Sequence, residues 1–212
     1  MQPGVIVLLL SLLLGLQPVT TDLYLPALPV LTAELAAPMA QAQLTLTALL
    51  LAFGLSQLVW GPLSDKYGRR PVLLIGLVAY VLASVASTLA PSMGWLIVWR
   101  VVQGVAMGAG VMCARAIVRD LYSPTQGARV MSKGLTGLGL IACMSAPLGG
   151  LLTDLLNWRF ALLAVAVFGA AALAVVALKF EETVQQKNPH ALQGATLLAT
   201  WRHILGHPTF WA

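Results

Sequence analysis

Charge is what this sequence has least of. Aspartate, glutamate, lysine and arginine make up 9% of its 212 residues, against roughly a quarter in a soluble domain. Water is therefore excluded as the solvent for most of the chain. Cysteine is nearly absent as well. Cys113 and Cys143 both lie inside apolar runs, and counting along those runs places them towards opposite membrane faces. That separation argues against a disulfide and for two small packing residues. The acids are few and scattered, and no Ser/His/Asp, Cys/His or metal constellation can be assembled, so an enzyme is not expected. His203 and His207 have metal-compatible spacing, but no carboxylate or cysteine completes a site, and no metal is expected. Gly104, Gly108 and Gly110 sit in an apolar run without a P-loop lysine and hydroxyl pair, which favours helix packing over phosphate binding. The first 17 residues lack a basic n-region and a small-x-small cleavage site, so they read as the start of a helix rather than a signal peptide.

Apolar residues are what the sequence has in abundance, at 59%. A helical span of the bilayer core needs about 20 of them. Six stretches have that length, near residues 4–29, 42–63, 71–90, 94–118, 127–152 and 158–179. Proline and polar residues punctuate them: Pro26 and Pro29 are expected to close the first helix and Pro71 to open the third. Pro91, Pro124 and Asn157 mark later breaks. Residues 1–180 thus form a six-helix membrane unit. Residues 181–212 are expected to be a cytoplasmic linker, with Pro208–Ala212 as the possible start of a seventh helix.

The net charge of +5 sits in short loops between apolar runs, which is a topology signal and not a nucleic-acid surface. Lys66, Arg69, Arg70, Arg119, Arg129, Lys133, Lys179, Lys187 and Arg202 fall on one side, and Arg159 alone falls on the other. Nine against one predicts that both ends of the unit are cytoplasmic. Trp95, Trp99 and Trp158 then fall at the outer interface and Trp60 at the inner one, as in an aromatic belt.

A short repeat suggests internal symmetry. Gly61-Pro-Leu-Ser-Asp65 is followed by Arg70, and Gly150-Leu-Leu-Thr-Asp154 is followed by Arg159 at the same spacing, 89 residues later. The copies end helices two and five on opposite sides of the membrane. A three-helix unit repeated with inverted topology produces this pattern.

Three constellations carry chemistry. In the first, Gly61 allows close helix approach, Gly68 permits a tight turn, and Asp65 can pair with Arg69 or Arg70. Asp120, at the same end of helix four, is the natural partner for Arg69, and Arg119 beside it is a further candidate. Such a charged latch holds one conformation and breaks in another. In the second, Arg100 lies about 10 Å inside the outer end of helix four at 1.5 Å per residue. Asp22 on helix one lies at equal depth, which makes an Asp22–Arg100 pair feasible, and Gln103 shares the face of Arg100. Burial favours a neutral carboxyl and a facing guanidinium favours an ionised one, so changing water access can load and unload a proton at Asp22. A static ion pair locking two helices is the competing interpretation. The third is Ser145-Ala-Pro147-Leu-Gly149-Gly150, where small residues permit tight packing and proline frees a carbonyl.

These residues carry a resemblance that covers essentially the whole chain. Gly61-Pro-Leu-Ser-Asp65-Lys-Tyr-Gly68-Arg69-Arg70 resembles the signature loop of the major facilitator superfamily, G-x-x-x-D-x-x-G-R-[RK], at every defining position. Arg100-Val-Val-Gln103-Gly104 resembles its R-x-x-Q-G element. Pro147, Gly149 and Gly150 resemble the G-P-x-x-G-G element of its antiporter branches, although Ala146 stands where glycine is usual. With Asp22-Leu-Tyr24-Leu-Pro-Ala-Leu-Pro and Ala114-Arg115-Ala-Ile-Val-Arg119-Asp120, the chain looks like the Bcr/CflA branch of drug-resistance transporters. The resemblance implies an all-α transmembrane fold, a six-helix bundle of two inverted three-helix repeats forming the N-terminal half of a twelve-helix transporter. It implies proton-coupled efflux of small amphipathic drugs or metabolites across the bacterial inner membrane. It also implies alternating access, no cofactor beyond the proton gradient, and a C-terminal six-helix half or second subunit as partner. Proton symport within the same superfamily and a half-transporter inactive alone are the alternatives. Tyr24 is expected as a wall of the substrate path, with Asp22, Arg100 and Gln103 in coupling.

Overall fold

Consecutive apolar runs in a bilayer satisfy their backbone polar groups only as helices or closed barrels, and this chain takes the helical solution. The structure, a computed structural model, describes residues 3–184, and no strand occurs among them. The helices are α1 (Pro3–Asp22), α2 (Leu28–Glu34), α3 (Met39–Tyr67), α4 (Arg69–Thr88), α5 (Met93–Leu121), α6 (Pro124–Leu155) and α7 (Trp158–Lys179). A short 3₁₀ turn, Leu25–Ala27, joins α1 to α2, and the three pieces together make the first of six spans long and apolar enough to cross a membrane. The six-helix all-α class expected from the sequence is the one found. Of the proposed linker only residues 181–184 are described, and the proposed seventh helix, His203 and His207 lie outside the described residues.

Local signals explain most helix ends. Ser92 and Asn157 cap α5 and α7 by accepting hydrogen bonds from the backbone N–H groups of Trp95 and Arg159. Pro124 opens α6, where a missing N–H costs nothing. The first span departs from expectation. Pro26 and Pro29 do not close it: they lie in the 3₁₀ turn and the first turn of α2, after a break beginning at Leu23. Proline removes a donor but fits a first turn, so the chain bends and resumes its course. The signature segment is also less of a loop than expected. Gly61 to Tyr67 continue α3, and only Gly68, at φ 107°, separates α3 from α4.

The packing follows the inverted repeat. α3 lies chiefly along α5 and α6 along α1, while α4 and α7 pack against each other behind them. Exchanging the first three spans for the last three maps one set of neighbours onto the other. α5 is the most enclosed span and α6 the least. The exposed side chains of α3 and α6 include Leu51, Leu55, Val59, Leu140, Met144 and Leu151, an apolar surface facing lipid or another protein. Lys66, Arg69, Arg70, Arg119 and Lys179 cluster at one face of the bundle, here the basic face.

Close helix approach depends on particular glycines. A Cβ on Gly104 would overlap the Leu49 carbonyl where α5 meets α3. One on Gly54, also on α3, would meet nothing within 4 Å. Gly104→Ala is therefore expected to destabilise the bundle by about 1–3 kcal/mol through forced separation of two helices. Gly54→Ala should be neutral or stabilising by up to about 1 kcal/mol. Thermal unfolding of the two variants in detergent measures the contrast.

Candidate functional site

Two polar clusters stand out in a chain with so few polar groups, one inside the spans and one at the basic face.

The inner cluster is built round Arg100 on α5, which is fully buried. One Nη1 hydrogen goes to the Thr20 carbonyl at 3.3 Å and one to Gln103 Oε1 at 2.9 Å. The guanidinium carbon lies 3.8 Å from the centre of the Tyr24 ring, a cation–π contact in a desolvated setting. Among the described residues, Nε and Nη2 have no hydrogen-bond partner. Gln103 Nε2 donates onward to Ser84 Oγ at 2.6 Å, and Ser84 donates to the Tyr80 carbonyl. The Thr20 hydroxyl gives its proton to the Leu16 carbonyl, so the Tyr80 hydroxyl must be the donor in the 2.5 Å Tyr80–Thr20 bond. Thr45 gives its proton to the Ala42 carbonyl, so Tyr24 donates to Thr45 at 3.0 Å. Each chain of hydrogen bonds in the cluster runs away from the cation and ends on a carbonyl. The arrangement offers Arg100 acceptors and a ring face, but no negative charge.

Asp22 does not meet Arg100. The described residues contain three ion pairs, and this is not among them. Equal depth placed the two groups at one level but could not place them on facing sides of their helices. Asp22 is only partly buried and accepts instead from the Thr21 hydroxyl at 2.7 Å. It is the last residue of α1, at the edge of the break, while Tyr24, two residues on, occupies the face of the guanidinium. Tyr24 is itself fully buried, so it is a lid on Arg100 here and not a wall of an open path.

The second cluster joins four helix ends. Arg69, 3% exposed, reaches Asp65 at 2.6 Å and Asp120 at 3.0 Å, and its Nη1 donates to Ser64 Oγ. The cation thus bridges the ends of α3 and α5 from the first turn of α4. Glu182, just past α7, was missed by sequence reasoning: its carboxylate accepts from the backbone N–H groups of Arg69 and Arg70 at 2.9 and 3.1 Å. A carboxylate at a helix N-terminus satisfies orphan donors and complements the helix dipole. The only sequence signal for it was Glu181-Glu182, the first acids after the sixth span. Arg70 donates to the Ala177 carbonyl on α7. Gly61 allows close approach to Met112, and Gly68 supplies the turn. Arg119 is exposed and takes no part in this network; with Arg115 it lines a recess of about 430 Å³ at the start of α6.

The third element sits beside the helix break. Gly149 is buried, and a Cβ there would overlap the Leu23 carbonyl, so α6 presses directly on the backbone that follows Asp22. Gly150 lies near Pro26, and Pro147 is exposed. The tryptophans expected at the interfaces differ in their surroundings. Trp95 and Trp99 pair with ring centroids 6.0 Å apart, but Trp158 is fully buried and Trp60 donates to the Val105 carbonyl. Cys113 is buried and Cys143 exposed, both as free thiols.

Six membrane-capable helices, an inverted three-helix repeat and a charged cluster at the second helix junction define the six-helix unit of a multi-pass membrane transporter fold. The chain belongs to the Major Facilitator Superfamily, whose family model matches residues 10–212. It is 33% identical over 97% of its length to multidrug resistance protein D of Escherichia coli, covering 51% of that protein. It is 36% identical over 91% of its length to a chloramphenicol resistance protein of Pseudomonas aeruginosa, covering 46% of it. A bicyclomycin resistance protein homolog of Haemophilus influenzae is 32% identical, with 52% of it covered. Among solved structures, the proton:xylose symporter XylE superposes with a TM-score of 0.75 at 14% identity, over 97% of this chain and 52% of that one. At that identity the likeness concerns the fold alone. The chain spans about half the length of the curated relatives it matches.

Truncating the lid on Arg100 should be costly in proportion to what is removed. Tyr24→Phe loses only the bond to Thr45 and is expected to destabilise by about 1 kcal/mol. Tyr24→Leu also loses the cation–π contact, for about 2 kcal/mol more. Thermal unfolding in detergent distinguishes the two.

Proposed function

We propose that this chain is half of a proton-coupled exporter of small amphipathic molecules in the bacterial inner membrane, working by alternating access. The basic face, with both ends of the unit, is cytoplasmic in this proposal. The missing wall of the translocation path comes from a C-terminal six-helix half or a second subunit. Drug-resistance relatives and the Pro147/Gly149/Gly150 element support export; proton symport is the less favoured alternative.

The observation that carries the coupling proposal is the buried, uncompensated Arg100, capped by a ring two residues from Asp22. An isolated buried cation costs several kcal/mol, so the site is poised for a carboxylate. The break between α1 and α2 is where the backbone can re-aim. In one state Tyr24 covers the guanidinium, as seen here. In the other, rotation at Leu23 and Tyr24 carries the ring away and brings the Asp22 carboxylate to Nε and Nη2. Making and breaking that ion pair is the step to which we assign proton exchange. Gln103 and the Tyr80–Thr20 pair hold the guanidinium in place through both states. The Arg69 cluster would act as the cytoplasmic latch, holding the helix ends together in one state and loosening in the other.

Two outcomes follow for the intact transporter in proteoliposomes. Asp22→Asn should lose drug-driven proton release while keeping drug counterflow, which needs no net proton movement; unchanged coupled exchange would remove Asp22 from the mechanism. Asp65→Asn should insert normally but slow transport on the order of tenfold, the loss of one charge-assisted contact. Wild-type transport rates would rule out a latch role for Asp65.

A further inference from the structure

The inverted repeat carries the basic-face cluster onto the opposite face of the bundle, and something is built there. Shifting by 89 residues takes Gly61 to Gly150, Asp65 to Asp154, Arg69 to Trp158 and Arg70 to Arg159. In the first copy, Arg69 Nε donates to Asp120 Oδ2 at the end of α5. In the second, Trp158 Nε1 donates at 2.7 Å to Glu34 Oε2 at the end of α2. α2 ends the first span, which is the repeat counterpart of the fourth. An indole N–H thus stands where the guanidinium Nε–H stood, aimed at a carboxylate on the equivalent helix end. Arg159 completes the group by pairing with Glu34 Oε1 while lying over the Trp158 ring, 4.3 Å from its centre. Ser64 and Thr153, also 89 residues apart, are both buried and both donate back into their own helix, at 2.8 Å each.

From this correspondence we propose that Glu34, Trp158 and Arg159 form a second clasp, the inverted counterpart of the Arg69 cluster, which pins α2 to α7. By holding α2, the clasp keeps Tyr24 over Arg100. Glu34, Trp158 and Arg159 are positioning residues, acting through the helix break and touching no substrate. The link to Arg100 rests on the coupling reading above; the clasp itself does not.

Three further observations fit the role. α2 is only 7 residues long and is bounded by the break at Leu23–Tyr24 on one side, so its far end decides where it lies. Immediately beyond Glu34, Ala36 adopts φ 46°, a left-handed conformation that costs a non-glycine residue energy and persists only where neighbours enforce it. Burial is divided as a releasable contact requires. Trp158 is fully buried, whereas Glu34 and Arg159 side chains are 38% and 37% exposed. Water can therefore solvate the ions as they part.

The experiment measures access to Ala27, which is fully buried in the turn between the break and α2. In the intact transporter carrying Cys143→Ser, Ala27→Cys should react slowly with a maleimide. Glu34→Leu removes both bonds and should raise the rate on the order of tenfold. Trp158→Phe keeps an aromatic ring but removes the N–H together with part of the buried indole, and should raise the rate at Ala27→Cys by a smaller factor. It also serves if Glu34→Leu fails to insert. Ala83→Cys, fully buried on α4, is the reference and should not change. Unchanged Ala27→Cys labelling in either variant overturns the clasp, and so does equal acceleration at Ala27→Cys and Ala83→Cys, which marks general loosening. The assay needs no transport, so it stands apart from the fate of the export proposal.

Discussion

A single buried guanidinium organises the interior of this bundle. Arg100 is fully enclosed on α5, and among the described residues no carboxylate lies within ion-pair reach. A charge in that setting is tolerable only if its surroundings are polarised to suit it. The surroundings comply. Gln103 and the Thr20 carbonyl take the Nη1 hydrogens, and Tyr24 offers its ring face. The hydroxyls of Tyr24, Tyr80, Thr20, Thr45 and Ser84 hand their protons outward to other hydroxyls or to backbone carbonyls. Four of the six spans contribute to this one cation, which couples their relative positions.

The break in the first span is the other half of that constraint. A continuous helix would fix Asp22 and Tyr24 at a set angle to each other. The interruption after Asp22 lets the ring turn in towards Arg100 while the carboxylate stays with Thr21. Gly149 then allows α6 to press against that unwound backbone. Irregular backbone at membrane depth survives only where protein covers it, and here α6 does the covering.

The two ends of the bundle use one plan with different chemistry. At the basic face, a buried arginine gathers two aspartates, with Glu182 capping the helix start. At the opposite face, a buried tryptophan and a half-exposed arginine share Glu34, and Asn157 caps the helix start. The geometry is inherited from the repeat, while the strength of each junction follows from how much of its charge is shielded from water.

Much of this was legible in the residues themselves. Span number and helix class follow from apolar length, because lipid leaves the backbone no other way to satisfy its hydrogen bonds. The Arg69–Asp65 contact is local, one helical turn apart, and so was readable from spacing. Gln103 beside Arg100 was readable for the same reason. What sequence could not decide was the rotation of one helix against another. Depth along an axis can be counted, but azimuth depends on packing. That is why the Asp22–Arg100 pair failed to appear and Tyr24 took the place beside the cation. Glu182 and Glu34 reach their partners across 113 and 124 residues of chain, respectively. No local pattern encodes such contacts. The sequence by itself determined how many times the chain crosses the membrane and which groups lie at each depth; only the assembled bundle decided which of those groups face one another.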